Sequence, residues 1–246
     1  IAAIALIFLF LFYSVAPLFQ AAKVGAVTQF DVDYTEAPLY VSLEEYKEVG
    51  LQVSDGGSYQ FFSTDSGRII ESSSLNFLSG MKMSSFAVGA LTSNVIIIGS
   101  DDGRADVFKA NYAISYPNDK RLVSPSLARP LEGQELVLDE KGVAIRLITG
   151  QSTEDEVTVL GVSEDGSVNL VGAVKESSFL ADTGEWVIER STLRLEGNQL
   201  SHLAMNVDQR EAYLLSRDGT LELYDITDKT SPRLIDRVKV VEGSVR

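Results

Sequence analysis

The feature that most constrains the fold is a repeated unit in which an apolar run leads into a turn ending in glycine and a second strand-like run follows. Four such units are present: Tyr59–Gly67, Val95–Gly103, Val157–Gly166 and Ala212–Gly219. In three of them the turn ends in Asp-Gly, which favours a β-hairpin because Gly adopts positive φ freely and Asp tolerates the left-handed region. Repeated hairpins predict a repeat architecture built from antiparallel strands.

The spacing of these units favours a β-propeller, whose blades recur every ~40 to 50 residues. The widest interval contains a further apolar segment, Leu136–Thr149, which can supply another hairpin around Lys141-Gly142. We therefore expect an all-β, β-propeller-like (WD40-like) domain over residues 23–246, with four or five recognisable blades. Because propellers normally close on themselves, the array is expected to be incomplete.

The N-terminal residues have a different character. Residues 1–19 carry no charge, and at about 1.5 Å per residue they reach about 28 Å, close to a hydrocarbon core of about 30 Å. The sequence predicts one transmembrane helix over residues 1–22. A secretory signal peptide is the main alternative, but its small-residue triplet, Ser14-Val15-Ala16, precedes Pro17, which disfavours cleavage. A buried soluble helix is the third interpretation.

One short segment departs from the strand pattern. Ser42 is followed three residues later by Glu45, which is a capping-box arrangement, and Gly50 can end a helix in the left-handed conformation. These local signals predict a helix of one to two turns.

Composition argues against several function classes. Lys and Arg number 21 against 35 Asp and Glu, so the net charge of −14 disfavours nucleic acid as a partner. There is no Cys and one His, which removes the commonest metal and nucleophile sets. Phosphate-binding glycine loops and the G-x-S-x-G elbow are absent from the sequence. We therefore predict no catalytic residues, no metal site and no cofactor site, and a protein that is not an enzyme.

The remaining polar candidates have simpler interpretations. The clusters Asp31–Asp33 and Asp101–Asp106 do not fit an EF-hand loop, and Asp101 and Asp102 are expected to form a turn. His202 is expected to be structural, and Trp186 to be a packing residue, although an exposed Trp can anchor a partner. Interspersed charges near the C-terminus predict a solvated strand surface; these are Lys229, Arg233, Arg237, Lys239 and Arg246 with Asp228, Asp236 and Glu242.

In the order of several segments, this sequence resembles the PstC-type permease of bacterial phosphate ABC transporters. The similarity covers nearly the whole chain, and no single motif in it is diagnostic. It is carried by Tyr13–Gln20, Leu39–Tyr46, Val107–Tyr112, Ser115–Lys120, Ala181–Glu185, and Val207–Arg210 before Ala212. In that family a first membrane helix is followed by a large periplasmic insertion, and this chain is similar to those two parts.

The resemblance implies a place in the bacterial inner membrane with the globular domain in the periplasm. It also implies partners: membrane lipid, a second permease, a cytoplasmic ATPase and a periplasmic phosphate-binding protein. Because net charge −14 makes the domain a poor general attractor of phosphate, a non-catalytic interaction or regulatory role is expected. The alternative is a membrane-anchored propeller that acts as a scaffold in envelope protein assembly. An enzymatic propeller is a more distant third.

Overall fold

The computed structural model describes residues 2–19, 27, 29–30, 36–75, 82–90, 92–131, 133–176, 184–193, 195 and 199–242. It begins with one α-helix, α1 (Ala2–Val15), followed by a 3₁₀ turn over Ala16–Phe19. The α-helix ends at Val15 because Pro17 has no N–H to donate and its ring disfavours α geometry at Ala16. The helix is thus shorter than the predicted span, whose last residues, 20–22, lie outside the described part. Among the helices described, none combines the length and the apolar character needed to cross a membrane.

Strands follow in four antiparallel sheets, which we call blades 1 to 4. Blade 1 contains β1 (Pro38–Leu43), β2 (Val49–Ser54), β3 (Ser58–Ser63) and β4 (Ile69–Ser74). Blade 2 contains β5 (Met83–Val88), β6 (Val95–Ser100), β7 (Arg104–Ser115) and β8 (Leu122–Ala128), and the two-residue β9 (Leu136–Val137) pairs with β7. Blade 3 contains β10 (Ile145–Ser152), β11 (Glu156–Ser163), β12 (Val168–Glu176) and β13 (Glu185–Leu193). Blade 4 contains β14 (Leu200–Met205), β15 (Glu211–Ser216), β16 (Thr220–Asp225) and β17 (Arg233–Lys239).

Each pair of consecutive blades encloses its own apolar core. The first core contains Leu51, Phe61, Ile96, Ile98 and Phe108 from blades 1 and 2. The second contains Ile97, Val107, Val159, Val171 and Ala173 from blades 2 and 3. The third contains Leu160, Leu170, Leu214, Tyr224 and Ile226 from blades 3 and 4. Blades 2 and 3 are therefore buried on both faces.

Strand β6 shows why this packing produces an uninterrupted apolar run in the sequence. Its even-numbered residues Ile96 and Ile98 face blade 1, and its odd-numbered residues Val95 and Ile97 face blade 3. Successive side chains of a strand point to opposite faces, so a strand between two cores needs apolar residues at every position.

The order of the strands completes the architecture. Every blade contains a four-stranded meander in chain order, to which blade 2 adds β9. The first strand of blade 3, β10, lies beside β5 and β14, the first strands of its neighbours. The last strand of blade 1, β4, and the last strand of blade 4, β17, are largely exposed. The prediction of an all-β, β-propeller-like domain behind an N-terminal helix is confirmed, and the described residues form four blades.

The hairpin between the second and third strands is the same in all four blades. The second strand ends on a serine and a positive-φ glycine follows three positions later; the pairs are Ser54 and Gly57, Ser100 and Gly103, Ser163 and Gly166, and Ser216 and Gly219. Three predicted hairpins match this register. The first predicted hairpin, Tyr59–Gly67, is wrong in position, because Gly67 lies in the turn between β3 and β4.

The extra apolar segment does not build a fifth hairpin of this kind. Leu136–Val137 is the short strand β9, Lys141 and Gly142 lie in a turn, and the rest of the segment enters β10. The segment therefore connects blade 2 to blade 3.

The helix predicted over Ser42–Gly50 is wrong. Ser42 and Leu43 end β1, and the chain turns through residues 44–48 into β2. The Glu44 carboxylate accepts hydrogen bonds from the backbone N–H groups of Tyr46 (2.8 Å) and Glu48 (2.7 Å). Pairing of β1 with β2 uses backbone groups that a helix would have used, so tertiary structure overrides the local capping signal.

This turn also contacts blade 2. The Arg121 guanidinium lies 4.1 Å from the centre of the Tyr46 ring and forms an ion pair with Glu48 at 2.6 Å. A cation over an aromatic face adds a polar link between blades 1 and 2 outside their apolar core.

Candidate functional site

The candidate residues from the sequence lie on different blades and do not form one site. His202 is exposed on β14, with its Nδ1 3.1 Å from the Ser201 hydroxyl. Trp186 on β13 is half-buried and packs against the core between blades 2 and 3, which confirms its packing role. Asp31 to Asp33 lie outside the described residues. No three His, Asp or Glu side chains in the described ranges are grouped as a metal site would require.

Asp101 and Asp102 form the turn between β6 and β7, as predicted. Asp102 accepts hydrogen bonds from Arg104 Nε (2.9 Å) and from the Ser100 hydroxyl (2.5 Å). The Arg104 guanidinium, helped by Ser100, lowers the pKa of Asp102 to about 2 against the opposing effect of burial. This carboxylate is thus part of the hairpin's own structure.

A pH dependence follows from this pair. The folded-state pKa lies below the unfolded value of about 3.9, so the stabilisation is complete above pH ~4 and is lost as pH falls toward 2. Because the Asp102 side chain is 42% exposed, we expect about 1 kcal/mol rather than the full value of the shift. Urea midpoints measured between pH 5 and pH 2.5 should fall less steeply in Asp102→Asn than in the wild type. Arg104→Met should flatten the same window, and a wild-type slope in both variants would contradict this assignment.

The C-terminal charges are mostly paired along the outer strand of blade 4. Arg233 pairs with Asp225 at 2.8 Å and Lys239 with Asp218 at 3.7 Å. Arg237 donates from Nε to Glu222 at 2.7 Å. The strand is exposed, as predicted, while Arg246 lies outside the described residues.

Lys229 corrects that prediction, since its side chain is only 3% exposed. Its ammonium donates to the backbone oxygens of Gln209 (2.6 Å) and Ile226 (3.0 Å) and pairs with Glu156 at 3.0 Å. Glu156 belongs to blade 3 and the two carbonyls to blade 4. Lys229 is therefore a buried residue whose contacts join blades 3 and 4, and it is not part of a solvated surface.

The structure brings together a different set of residues in a cleft between blades 3 and 4. We call it the Arg146–Arg217 cleft, and its volume is about 470 Å³. Its lining combines two arginines, two acidic residues and an apolar wall: Arg146, Glu164, Asp165, Gly166, Leu193, Leu195, Gln199, Leu200 and Arg217.

The two arginines come from different blades. Arg146 is half-buried near the start of β10, and its Nη1 donates to the Leu200 carbonyl oxygen at 3.0 Å. Arg217 is exposed in the turn between β15 and β16. Burial, and then the positive charge of Arg217, lower the pKa of Arg146. In the described part of the chain neither guanidinium forms an ion pair.

The two acidic residues of the cleft differ from each other. Asp165 accepts hydrogen bonds from the backbone N–H (2.9 Å) and hydroxyl (2.7 Å) of Ser167 and pairs with Lys141 at 3.7 Å, and Ser167 is the main cause of its lowered pKa. The Glu164 carboxylate has no hydrogen-bond or ion-pair partner among the residues described. The cleft thus offers guanidinium donors, one unengaged carboxylate and an apolar wall, which is chemistry suited to binding a charged group.

The sequence analysis missed Arg146 and Arg217. They are 71 positions apart by their numbering, and neither belongs to a recognised anion-binding motif. The signal that places Arg217 is its position in the Ser-x-x-Gly hairpin, two residues before Gly219.

Comparisons with known proteins give likenesses in structure and none in sequence. No family model matches the chain, and no curated protein matches it in sequence. Among solved structures it is similar to the WD40 domain of SCAP from fission yeast, with a TM-score of 0.46 and 10% identity. The match covers 84% of this chain and 43% of that one, so the chain spans less than half of that structure's length.

Proposed function

We propose that this chain is a non-catalytic interaction domain of a PstC-type permease in a bacterial phosphate ABC importer. Its helix is attached to the inner membrane and its blades lie in the periplasm, where they contact the phosphate-binding protein or a neighbouring subunit. The proposal rests on the sequence resemblance and on one structural observation, the exposed apolar surface of α1.

That surface runs along the helix from Ile4 to Val15. The side chains of Phe8, Phe12 and Tyr13 are 68%, 77% and 79% exposed, and α1 contains no charged residue. A continuous apolar surface of this kind is unfavourable in water, so it needs a cover of lipid or of other apolar helices. A membrane subunit supplies both.

Blade 4 offers a surface for a partner. In each of blades 1 to 3, one face packs on the next blade of the chain. The equivalent face of blade 4 carries half-exposed apolar side chains. Strand pairing places these residues on one face: Tyr213, Leu215, Leu221, Leu223 and Val238. Because burying such a face is favourable by about 25 cal/mol per Å², it supports an interaction role.

The experiment uses the whole transporter reconstituted with its binding protein. Deleting residues 36–242 is expected to lower phosphate uptake or to weaken binding-protein affinity, while assembly with the ATPase is retained. Leu223→Asp tests the blade 4 face alone, and Asp236→Asn on the same face is the control. Unchanged uptake together with unchanged binding-protein affinity in the deletion would overturn the proposal.

The alternative function is a membrane-anchored scaffold for envelope protein assembly. It is favoured by β17, an edge strand that is exposed at every residue and can pair with an extended segment of another protein. Purification of the tagged chain from detergent-solubilised membranes separates the two. A second permease and an ATPase are expected for the importer, whereas envelope assembly proteins in their place would favour the scaffold.

A further inference from the structure

We propose that the Arg146–Arg217 cleft binds a phosphate-type oxyanion, held between the two guanidinium groups. This inference goes beyond the proposed function, because it concerns a ligand of the blades themselves and holds whether or not the chain takes part in transport.

The first argument is the absence of charge compensation. Two positive groups line one cleft, and neither forms an ion pair with a carboxylate in the described ranges. Burial of Arg146 and repulsion from Arg217 both act against its charged form. A bound anion would offset both penalties, since it supplies opposite charge to the two groups at once.

The second argument is positioning. The hydrogen bond from Arg146 Nη1 to the Leu200 carbonyl oxygen fixes one edge of the guanidinium and leaves its other donors available. Leu193, Leu195 and Leu200 form an apolar wall of the same cleft, and such a wall weakens screening by water. A planar guanidinium donates two parallel hydrogen bonds to an oxyanion. Two guanidinium groups therefore match a tetrahedral, doubly charged oxyanion with several oxygens better than they match a monovalent ion.

The acidic lining residues set the limits of the site. Asp165 is engaged by Ser167 and Lys141, so its charge is already partly balanced. Glu164 lines the cleft without such a partner and therefore opposes an anion. Its removal is expected to strengthen anion binding, which is the opposite of the effect expected from removing either arginine.

The test is a titration of the full chain in detergent with inorganic phosphate, at constant ionic strength kept with sodium chloride. Calorimetry and the thermal unfolding midpoint are both recorded. Phosphate should raise the midpoint, as any ligand of the folded state does. Arg146→Gln and Arg217→Gln should each weaken binding about tenfold or more, which corresponds to about 1.4 kcal/mol or more. Glu164→Gln should tighten binding several-fold, and Arg233→Gln, outside the cleft, should bind as the wild type does.

Folding defects are separated from loss of the site by the phosphate-free midpoints. Arg217→Gln removes a like charge from the cleft, so without phosphate it should unfold at or above the wild-type temperature. Equal effects of phosphate and chloride, or full phosphate binding by Arg217→Gln, would overturn the proposal. Glycerol phosphate is titrated in parallel: tighter binding than inorganic phosphate assigns the group to a phosphate ester such as a lipid headgroup, and weaker binding assigns it to free phosphate.

Discussion

Replacing Lys229 by methionine is expected to lower the free energy of unfolding by about 3 kcal/mol. The ammonium donates to the Gln209 and Ile226 carbonyl oxygens and pairs with Glu156. Methionine keeps a similar length, so the apolar stem still fits, but both carbonyls lose a charged donor. An unsatisfied buried polar group costs about 1–3 kcal/mol. Urea unfolding of the wild type and the variant measures the difference.

The contacts of the lysine stem show why the position tolerates so little change. A Cβ on Gly172 of β12 would lie 2.5 Å from Lys229 Cγ, so blade 3 has a glycine where the stem crosses it. Ser191 of β13 donates its hydroxyl to the Lys229 carbonyl oxygen at 2.6 Å. With Glu156 of β11, residues from three strands of blade 3 therefore contact one residue of blade 4.

Two further variants distinguish the parts of this arrangement. Glu156→Gln is expected to cost about 1 kcal/mol, since the Glu156 side chain is 33% exposed and its charge is partly solvated. Lys239→Met removes an exposed lysine that pairs with Asp218 at 3.7 Å, and should change stability by less than about 0.5 kcal/mol. A Lys229→Met variant as stable as Lys239→Met would show that the buried contacts do not hold the blades together.

The sequence predicts the repeat because its signal is local. Asp-Gly turns at residues 102–103, 165–166 and 218–219 combine a glycine with positive φ and an aspartate that hydrogen-bonds inside the turn or to the residue after it. The position predicted for the first hairpin is wrong because two glycine-containing turns, at Gly57 and Gly67, follow each other closely in the chain. The serine that ends each second strand would have selected Gly57, since Ser54 stands three positions before it.

Other features depend on contacts between distant parts of the chain. The short helix predicted at Ser42 has sound capping residues, but pairing of β1 with β2 is decided by the core that Leu51 and Phe61 enter. Nothing around Lys229 in the sequence indicates burial, because two of its three partners are distant in sequence: Glu156 lies on blade 3 and Gln209 in a separate turn of blade 4. Arg146 and Arg217 likewise meet only after blades 3 and 4 have packed.

The glycines of the hairpins provide the second large expected effect. Gly103→Ala should destabilise the protein by about 3 kcal/mol or more, because two costs add. The φ of +83° is unfavourable for alanine by about 1–2 kcal/mol. A Cβ would also lie 2.6 Å from the Asp139 carbonyl oxygen, which is backbone and cannot rotate away.

Gly166→Ala is the matched control for this prediction. Its φ is +89° in the same turn of blade 3, but nothing lies within 4 Å of an added Cβ. It should therefore show the conformational cost alone, about 1–2 kcal/mol. The difference between the two urea unfolding energies measures the contact of the blade 2 hairpin with the connection at Asp139, where the Leu138 and Asp139 N–H groups both donate to the Gly103 carbonyl oxygen at 2.9 Å. Equal losses in the two variants would mean that this connection moves aside without cost.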